Sequence, residues 1–381
     1  MNLSRRSLRA LLAVTTVGTV AVLAACSGTS EAGSTGSPSS SSEAGVIEVP
    51  GATAEANAYM NELYDAAMAA GEDQIVMYGP SPSANKAMDE VFTARFPGIT
   101  IVPQDQPDAQ ILTKIETEAA SGNRIADFYL GGDAPQAAAQ PDLCTIADVR
   151  TGPEGFEIPT AYDGRLTYFA LRYFGFVYNT DKVSADEAPK NWHDLLDPKW
   201  KGEITVGDMT VPSGVRYILT QLMLPETEDT WGKDYLTALA AQDLQIAQSE
   251  PTVPADVASG RFSIGIGVFQ GYFQAQKDKG APIEFIFPLD DGGNFMSRSA
   301  MCLVNEAPHS NAAQLYVNWI YSPEGQLALA EKNESYGWTP EAPGPASLPA
   351  LNEFERLPFS NPDPEFNRPY FEFIAETFKK N

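Results

Sequence analysis

Apolar positions along the chain alternate between short dense runs and helically spaced stripes, and this alternation predicts strands and helices in turn. Residues 54–69 read as a helix, with Ala58, Leu63, Ala66 and Ala67 tending to one side. The run Ile75-Val76-Met77-Tyr78 predicts a buried strand that enters a loop at Gly79-Pro80. Ser83 then opens a helix through Ala87, Met88, Val91 and Phe92, closed by Pro97-Gly98. Residues 99–102 predict the next strand, 108–120 a helix through Ile111, Leu112 and Ile115, and 126–130 a third strand. Strand, helix, strand, helix, strand at this spacing argues for a parallel sheet covered by helices.

The later chain repeats the style less cleanly. Residues 168–179 are long, aromatic and extended, and 204–206, 263–268 and 283–287 are strand candidates. Residues 231–241, 253–259 and 312–332 read as helices. No internal repeat is present, which argues against a solenoid or propeller.

The N-terminus follows a different pattern. Arg5, Arg6 and Arg9 precede an uncharged run, residues 10–23, that ends in Leu23-Ala24-Ala25-Cys26. A basic segment, a short apolar segment and small residues before a cut site describe a secretory signal. The run is shorter than the roughly 18–20 residues a membrane-crossing helix needs. Leu-Ala-Ala-Cys looks like a bacterial lipobox, which predicts cleavage after residue 25 and a lipid on Cys26. Ser4-Arg5-Arg6-Ser7-Leu8 also looks like a twin-arginine export motif. Residues 26–52, rich in Ser, Gly, Thr and Ala, predict a flexible tether between that anchor and the globular body.

Charge and composition then narrow the partners. The chain has 381 residues, and its 43% hydrophobic content supports packed cores at a length that suggests two domains. Its formal net charge is −25; losing residues 1–25 removes three arginines and no acid, leaving 22 basic against 50 acidic residues, or −28. Such a surface repels phosphate backbones, so nucleic acid is excluded as a partner. No Gly-x-Ser-x-Gly elbow, phosphate-binding loop, His-Glu-x-x-His or calcium-loop pattern occurs, and nothing calls for a cofactor. His193 and His309 are isolated and read as surface or capping residues rather than metal ligands. With Cys26 assigned to lipid, Cys144 and Cys302 either form one disulfide or remain two buried thiols.

The chain resembles the bacterial extracellular solute-binding proteins that deliver ligand to ABC importers. More narrowly it is similar to the cluster of ferric-ion, thiamine, polyamine and aminoethylphosphonate binders. The residues that carry the likeness include Ile75-Val76-Met77-Tyr78-Gly79, Phe96-Pro97-Gly98-Ile99, Ala126-Asp127-Phe128 and Tyr178-Asn179-Thr180. They continue through Trp192-His193-Asp194-Leu195-Leu196-Asp197-Pro198-Lys199-Trp200-Lys201-Gly202, Gly280-Ala281-Pro282 and Ser322-Pro323-Glu324-Gly325-Gln326. The resemblance implies an α/β, two-lobed periplasmic-binding-protein fold (type II, Venus-flytrap) with hinge strands between the lobes. By that analogy 73–165 and 290–340 form one lobe, and 166–289 with 341–381 the other. Cys144 and Cys302 would then share a lobe, which favours the bridge. The implied partners are a small-molecule ligand, ABC permease subunits and the membrane through the lipid, with the protein a monomer.

Ligands of open α/β sheets lie beyond the carboxyl ends of strands. The candidates there are Tyr78, Ser81 and Ser83 after one strand and Asp133 after another. In the second lobe Asp208, Ser213, Gly214 and Arg216 border a helix start, and Tyr272 follows the 264–268 strand. Ferric binders of this cluster carry adjacent tyrosines at that last place, whereas here Tyr272 is followed by Phe273. Serines at two helix starts favour a small anionic or zwitterionic organic ligand such as a phosphonate. Ferric iron is the first alternative, and a carboxylate-based extracellular hydrolase the second.

Overall fold

The computed structural model describes residues 46–379 except 132–133, 212, 290–292, 340–341, 346–347, 360 and 362. The signal, Cys26, most of the tether and Asp133 therefore lie outside the described residues. The described end of the tether is docked rather than free. Ile47 and Val49 donate their backbone N–H groups to Asn61 and Asn57 side chains at 2.8 and 2.7 Å, and Val49 is buried. The apolar side chains of Ile47 and Val49 explain the departure, since they give this stretch something to bury.

In chain order the elements are α1 (Ala54–Ala70), β1 (Gln74–Gly79), α2 (Lys86–Arg95), β2 (Thr100–Asp105), α3 (Asp108–Ser121), β3 (Phe128–Leu130), α4 (Ala134–Ala138), β4 (Cys144–Thr145), β5 (Thr160–Ala161) and β6 (Leu166–Asn179). Then follow β7 (Ile204–Val206), α5 (Gly214–Gln221), α6 (Gly232–Ala240), β8 (Gln245–Ile246), α7 (Val253–Ala258), β9 (Ile264–Phe269), α8 (Gln270–Lys277) and β10 (Ile283–Ile286). The last are β11 (Phe295–Val304), α9 (Ser310–Tyr321), α10 (Pro323–Lys332) and α11 (Pro364–Thr377). Their strands run in the order β2-β1-β3-β11-β6-β9-β7-β8. The flanking pairs β1–β2, β1–β3, β7–β9 and β7–β8 are parallel, whereas β6 and β11 run antiparallel to their neighbours.

Two large bodies of buried apolar residues stand out among several. Met77, Phe92, Phe128, Tyr316 and Trp319 belong to the first, which also takes in Met60, Leu63 and Ala67 of α1. Trp192, Leu195, Ile218, Leu236 and Ile266 belong to the second, joined by Ile374 and Phe378 of α11. Side chains of this size contribute about 2–3 kcal/mol each when fully buried, so each body is a core in its own right. Strand β6 passes from Phe169 and Ala170 in the first to Phe174 and Phe176 in the second. Strand β11 makes the reverse crossing, from Phe295 to Met301 and Leu303. Behind the crossing, Leu171, Tyr173, Phe287, Met296 and Tyr336 pack as a separate aromatic group.

Three local expectations are corrected. The helix expected over 312–332 breaks at Ser322, whose extended ψ of 160° precedes Pro323; Ser322 then caps α10 by accepting from the Gly325 N–H at 3.2 Å. Ser83 does not cap α2; it lies inside a 3₁₀ turn, Pro82–Asn85, that precedes the helix. Its N–H donates to Asp105 Oδ1 at 3.1 Å, and its hydroxyl bonds the same carboxylate. His309 stands at the N-cap position of α9 but makes no side-chain cap there; instead its N–H donates to buried Asp127 Oδ1 at 2.9 Å, and its Nδ1 lies 2.9 Å from Oδ2. Cys144 of β4 and Cys302 of β11 are joined as a disulfide, with Cα atoms 5.6 Å apart. Among the described residues no helix is long and apolar enough to cross a membrane.

Candidate functional site

The two crossing strands are almost wholly apolar, yet each is interrupted by polar residues at the crossing: Arg172 in β6 and Ser297-Arg298-Ser299 in β11. Pairing decides which way these point. Ser297 stands opposite Arg172 and Ser299 opposite Ala170, whereas Arg298 stands opposite Leu171. Opposed residues share a face of a sheet and successive residues alternate, so Arg172, Ser297 and Ser299 look one way and Arg298 the other. The guanidinium of Arg298 accordingly lies over the rings of Tyr168 and Phe359, at 4.3 and 5.1 Å.

A cavity of about 180 Å³ opens against this crossing, bounded by Ser81 and Asn85 of the loop after β1, by Gly131, and by Phe169, Arg172 and the 297–300 segment. Arg172 is half-buried, and its guanidinium lies 5.2 Å from the ring centre of Phe269. Among the described residues it has no hydrogen-bond or ion-pair partner. Burial lowers its pKa, a sign of a cation held without compensation. Asn85 is 2% exposed, and among the described residues its Oδ1 also lacks a partner. An unpaired cation, an unsatisfied amide oxygen and serine hydroxyls at one cavity favour a polar, anionic occupant.

The carboxyl end of β9 lies beside Arg172, because Phe269 pairs with Phe174 of β6, and β7 and β8 run parallel to β9 and end on the same side. Phe269 ends β9, and Tyr272 in the first turn of α8 packs edge-on against it at 5.3 Å. Burial raises the Tyr272 phenol, Glu250 raises it further, and Arg172 draws it back down. Glu250 follows β8 and reaches the start of α5, where the Val215 N–H donates to its Oε1 at 2.7 Å. The approach depends on glycine, because a Cβ on Gly207 would sit 2.5 Å from Glu250 Cγ. Burial raises the pKa of Glu250, and the amides of Val215 and Gly214 draw it down.

The expected site residues separate on this geometry. Ser81 borders the cavity, and Tyr272 stands beside Arg172 without lining it. Tyr78 is buried under α3, where its hydroxyl donates to Glu118 Oε1 at 2.8 Å and Lys114 Nζ sits 3.8 Å from its ring centre. Ser83 is taken up by Asp105. Asp208 Oδ1 accepts from the Thr210 N–H and hydroxyl at 2.8 and 2.7 Å, a turn within its own loop. Ser213 caps α5 by accepting from the Arg216 N–H at 3.4 Å, and Gly214 faces the Glu250 carboxylate. Arg216 turns away toward α11, its guanidinium 4.2 Å from the ring centre of Phe371. Arg172, Asn85, Ser297, Ser299 and Glu250 were not expected. The first and the serines carried a legible signal, polar residues inside apolar strands; Asn85 and Glu250 carried none. Among the described residues no group of three or more His, Cys, Asp or Glu could hold a metal ion.

Comparison with known proteins adds an independent line. The family of bacterial extracellular solute-binding proteins matches residues 87–358. The "Fe(3+)-binding periplasmic protein" of Serratia marcescens is 26% identical over 70% of this chain and 79% of its own. A "putative 2-aminoethylphosphonate-binding periplasmic protein" of Salmonella typhimurium is 26% identical over 42% of this chain and 47% of its own length, so that this chain matches less than half of it. In structure, the periplasmic binding protein AfuA of Actinobacillus pleuropneumoniae, solved with exogenous fructose-6-phosphate bound, superimposes with a TM-score of 0.59. It is 20% identical, covering 81% of this chain and 99% of the other. The fold is that of the two-lobed, type II periplasmic binding proteins.

Proposed function

The chain belongs to the family of bacterial extracellular solute-binding proteins, and from that premise we propose that it captures a small anionic or zwitterionic organic ligand for an ABC importer, binding it without turning it over. The oxyanion is received by Arg172, with the hydroxyls of Ser81, Ser297 and Ser299 as additional donors. Asn85 takes a donor group on the same ligand. The carrying observation is Arg172 itself: a half-buried guanidinium with no partner among the described residues, opening on a cavity. A ligand oxyanion supplies the bidentate partner that such a group lacks.

The crossing strands suit this role mechanically. The lobes are proposed to divide at β6 and β11, with 73–165 and 290–340 on one side and 166–289 with the C-terminal tail on the other. Ligand contacts are then complete only when the lobes close, so ligand shifts an open–closed equilibrium by its differential affinity. The protein is proposed to work as a monomer held outside the cell membrane by lipid on Cys26. A Cys26→Ser chain that stays in the membrane fraction counts against that anchor.

Calorimetric titration with 2-aminoethylphosphonate and with fructose-6-phosphate tests the reading. At 100 times its dissociation constant, a binding probe also stabilises the fold by about 2.7 kcal/mol, visible as a thermal shift. Arg172→Gln is expected to abolish binding while leaving the far-ultraviolet spectrum unchanged. Undiminished binding by that variant, or no binding of either probe by the wild type, overturns the reading.

A second reading, ferric iron, draws support from the name of the Serratia relative and from Tyr272 beside the cleft. A visible tyrosinate–iron band on addition of Fe(III), lost in Tyr272→Phe, supports iron; no band removes it.

A further inference from the structure

The start of α5 offers free backbone N–H groups, the usual seat for an anionic ligand group in this kind of cleft. That seat is taken. Glu250 arrives from the end of β8 and accepts the Val215 N–H at 2.7 Å, and its two carboxylate oxygens lie 3.4 and 3.2 Å from where a Cβ on Gly214 would stand. Gly207 lets the Glu250 chain pass at a distance no other residue would allow. A second oxyanion brought to α5 would therefore meet a carboxylate already in place, and like charges at such range repel.

Glu250 is itself incomplete. It is half-buried, and among the described residues no lysine, arginine or histidine pairs with it. Arg172 and Glu250 are thus two charges of opposite sign without an ion-pair partner among the described residues; Arg172 borders the cavity, and Glu250 is met by the amides of Val215 and Gly214. Both charges act on the Tyr272 phenol, in opposite senses, so Tyr272 lies within the field of each. Arg172 reaches that tyrosine through Phe269, which touches both.

We propose that Glu250 is the specificity residue of the cleft, and that it selects an organic oxyanion that also carries an ammonium group. The oxyanion goes to Arg172 and the ammonium to Glu250, so one ligand compensates both charges. This rests on the oxyanion reading of Arg172 and narrows it. A ligand with a second anionic group is rejected at α5, and one lacking the amine leaves Glu250 without a counter-charge.

The test compares two probes that differ only in the amine, 2-aminoethylphosphonate and ethylphosphonate, by calorimetric titration of the purified protein. The expected wild-type result is an affinity for the aminated probe at least tenfold higher. Glu250→Gln is expected to remove most of that ratio while ethylphosphonate affinity holds or rises. Glu250→Asp, which keeps the charge but withdraws it, should leave an intermediate ratio. Wild-type affinities equal within threefold overturn the proposal without recourse to any variant. If Arg172→Gln then still loses both probes, the oxyanion reading stands alone. Failure of the wild type to bind either probe overturns both readings together. A folded Glu250→Gln protein with an unchanged ratio overturns the proposal for Glu250.

Discussion

Tyr316 donates its hydroxyl to Asp89 Oδ1 at 2.6 Å, deep in the first core, where Asp89 is 5% exposed. Burial pushes the Asp89 carboxyl up to about 7, and the Tyr316 hydrogen bond only partly restrains it. The folded pKa therefore exceeds the unfolded one, so folding favours the protonated acid. The stability from this group is fully present below about pH 4 and is lost as pH rises through 7. Asp89→Asn keeps an acceptor for Tyr316 without the charge. It should gain on the wild type as pH goes from 5 to 8, by on the order of 2 kcal/mol. Paired thermal melts at the two pH values check this; a difference between the proteins that does not change with pH refutes it.

The Cys144–Cys302 bridge closes a loop with a sequence separation of 158 and ties β4 to β11. In the chain-entropy account a loop of that length is worth about 5 kcal/mol. Both sulfurs are buried among Tyr129, Tyr168 and Val304, on the face of the sheet that Arg298 shares. The double substitution Cys144→Ala with Cys302→Ala should lower the melting temperature by many degrees. Probe affinity measured well below that temperature should stay within about threefold. A melting temperature shifted by less than two degrees would contradict the bridge's stabilising role.

Gly207→Ala puts a methyl group 2.5 Å from Glu250 Cγ. Glu250 must then leave the Val215 N–H, and a half-buried amide at the start of α5 loses its acceptor. The expected cost is about 1–3 kcal/mol in denaturant unfolding. A variant as stable as the wild type would show that the contact between Glu250 and α5 is dispensable.

Much of this architecture is legible in the chain. The edge strand β2 is half-exposed and shows mainly through the helical stripes around it, whereas β1 and β3 show as dense apolar runs, because strands buried on both faces must be apolar throughout. Strand β6 is legible for the same reason. Strand β11 is not, since Phe295-Met296-Ser297-Arg298-Ser299-Ala300 breaks the apolar run where the strand faces the cavity. Helix α11 hides behind Pro369, which sits inside it, and behind the prolines that precede it. Site residues divide in the same way. Ser81 is readable from a strand-to-loop rule, whereas Glu250 acquires its place only because Gly207, Gly214 and the end of β8 converge in space. Nothing in its own neighbourhood of the chain marks it.

The ladder between β6 and β11 separates two arginines that look equivalent in sequence. Arg298 packs its guanidinium on Tyr168 and Phe359, and burial lowers its pKa, as it does for neighbouring Arg356. Its stem and planar head cover aromatic surface on the face opposite Arg172, so it contributes packing there. Arg298→Gln should therefore lose about 1–2 kcal/mol of stability and bind 2-aminoethylphosphonate within about threefold of the wild type. Arg172→Gln should show the reverse, a melting temperature close to wild type in the absence of ligand and no ligand-induced shift. Running both variants through the same thermal titration separates the faces. If Arg298→Gln abolished the shift and Arg172→Gln kept it, the register-based assignment of the cleft face would be wrong.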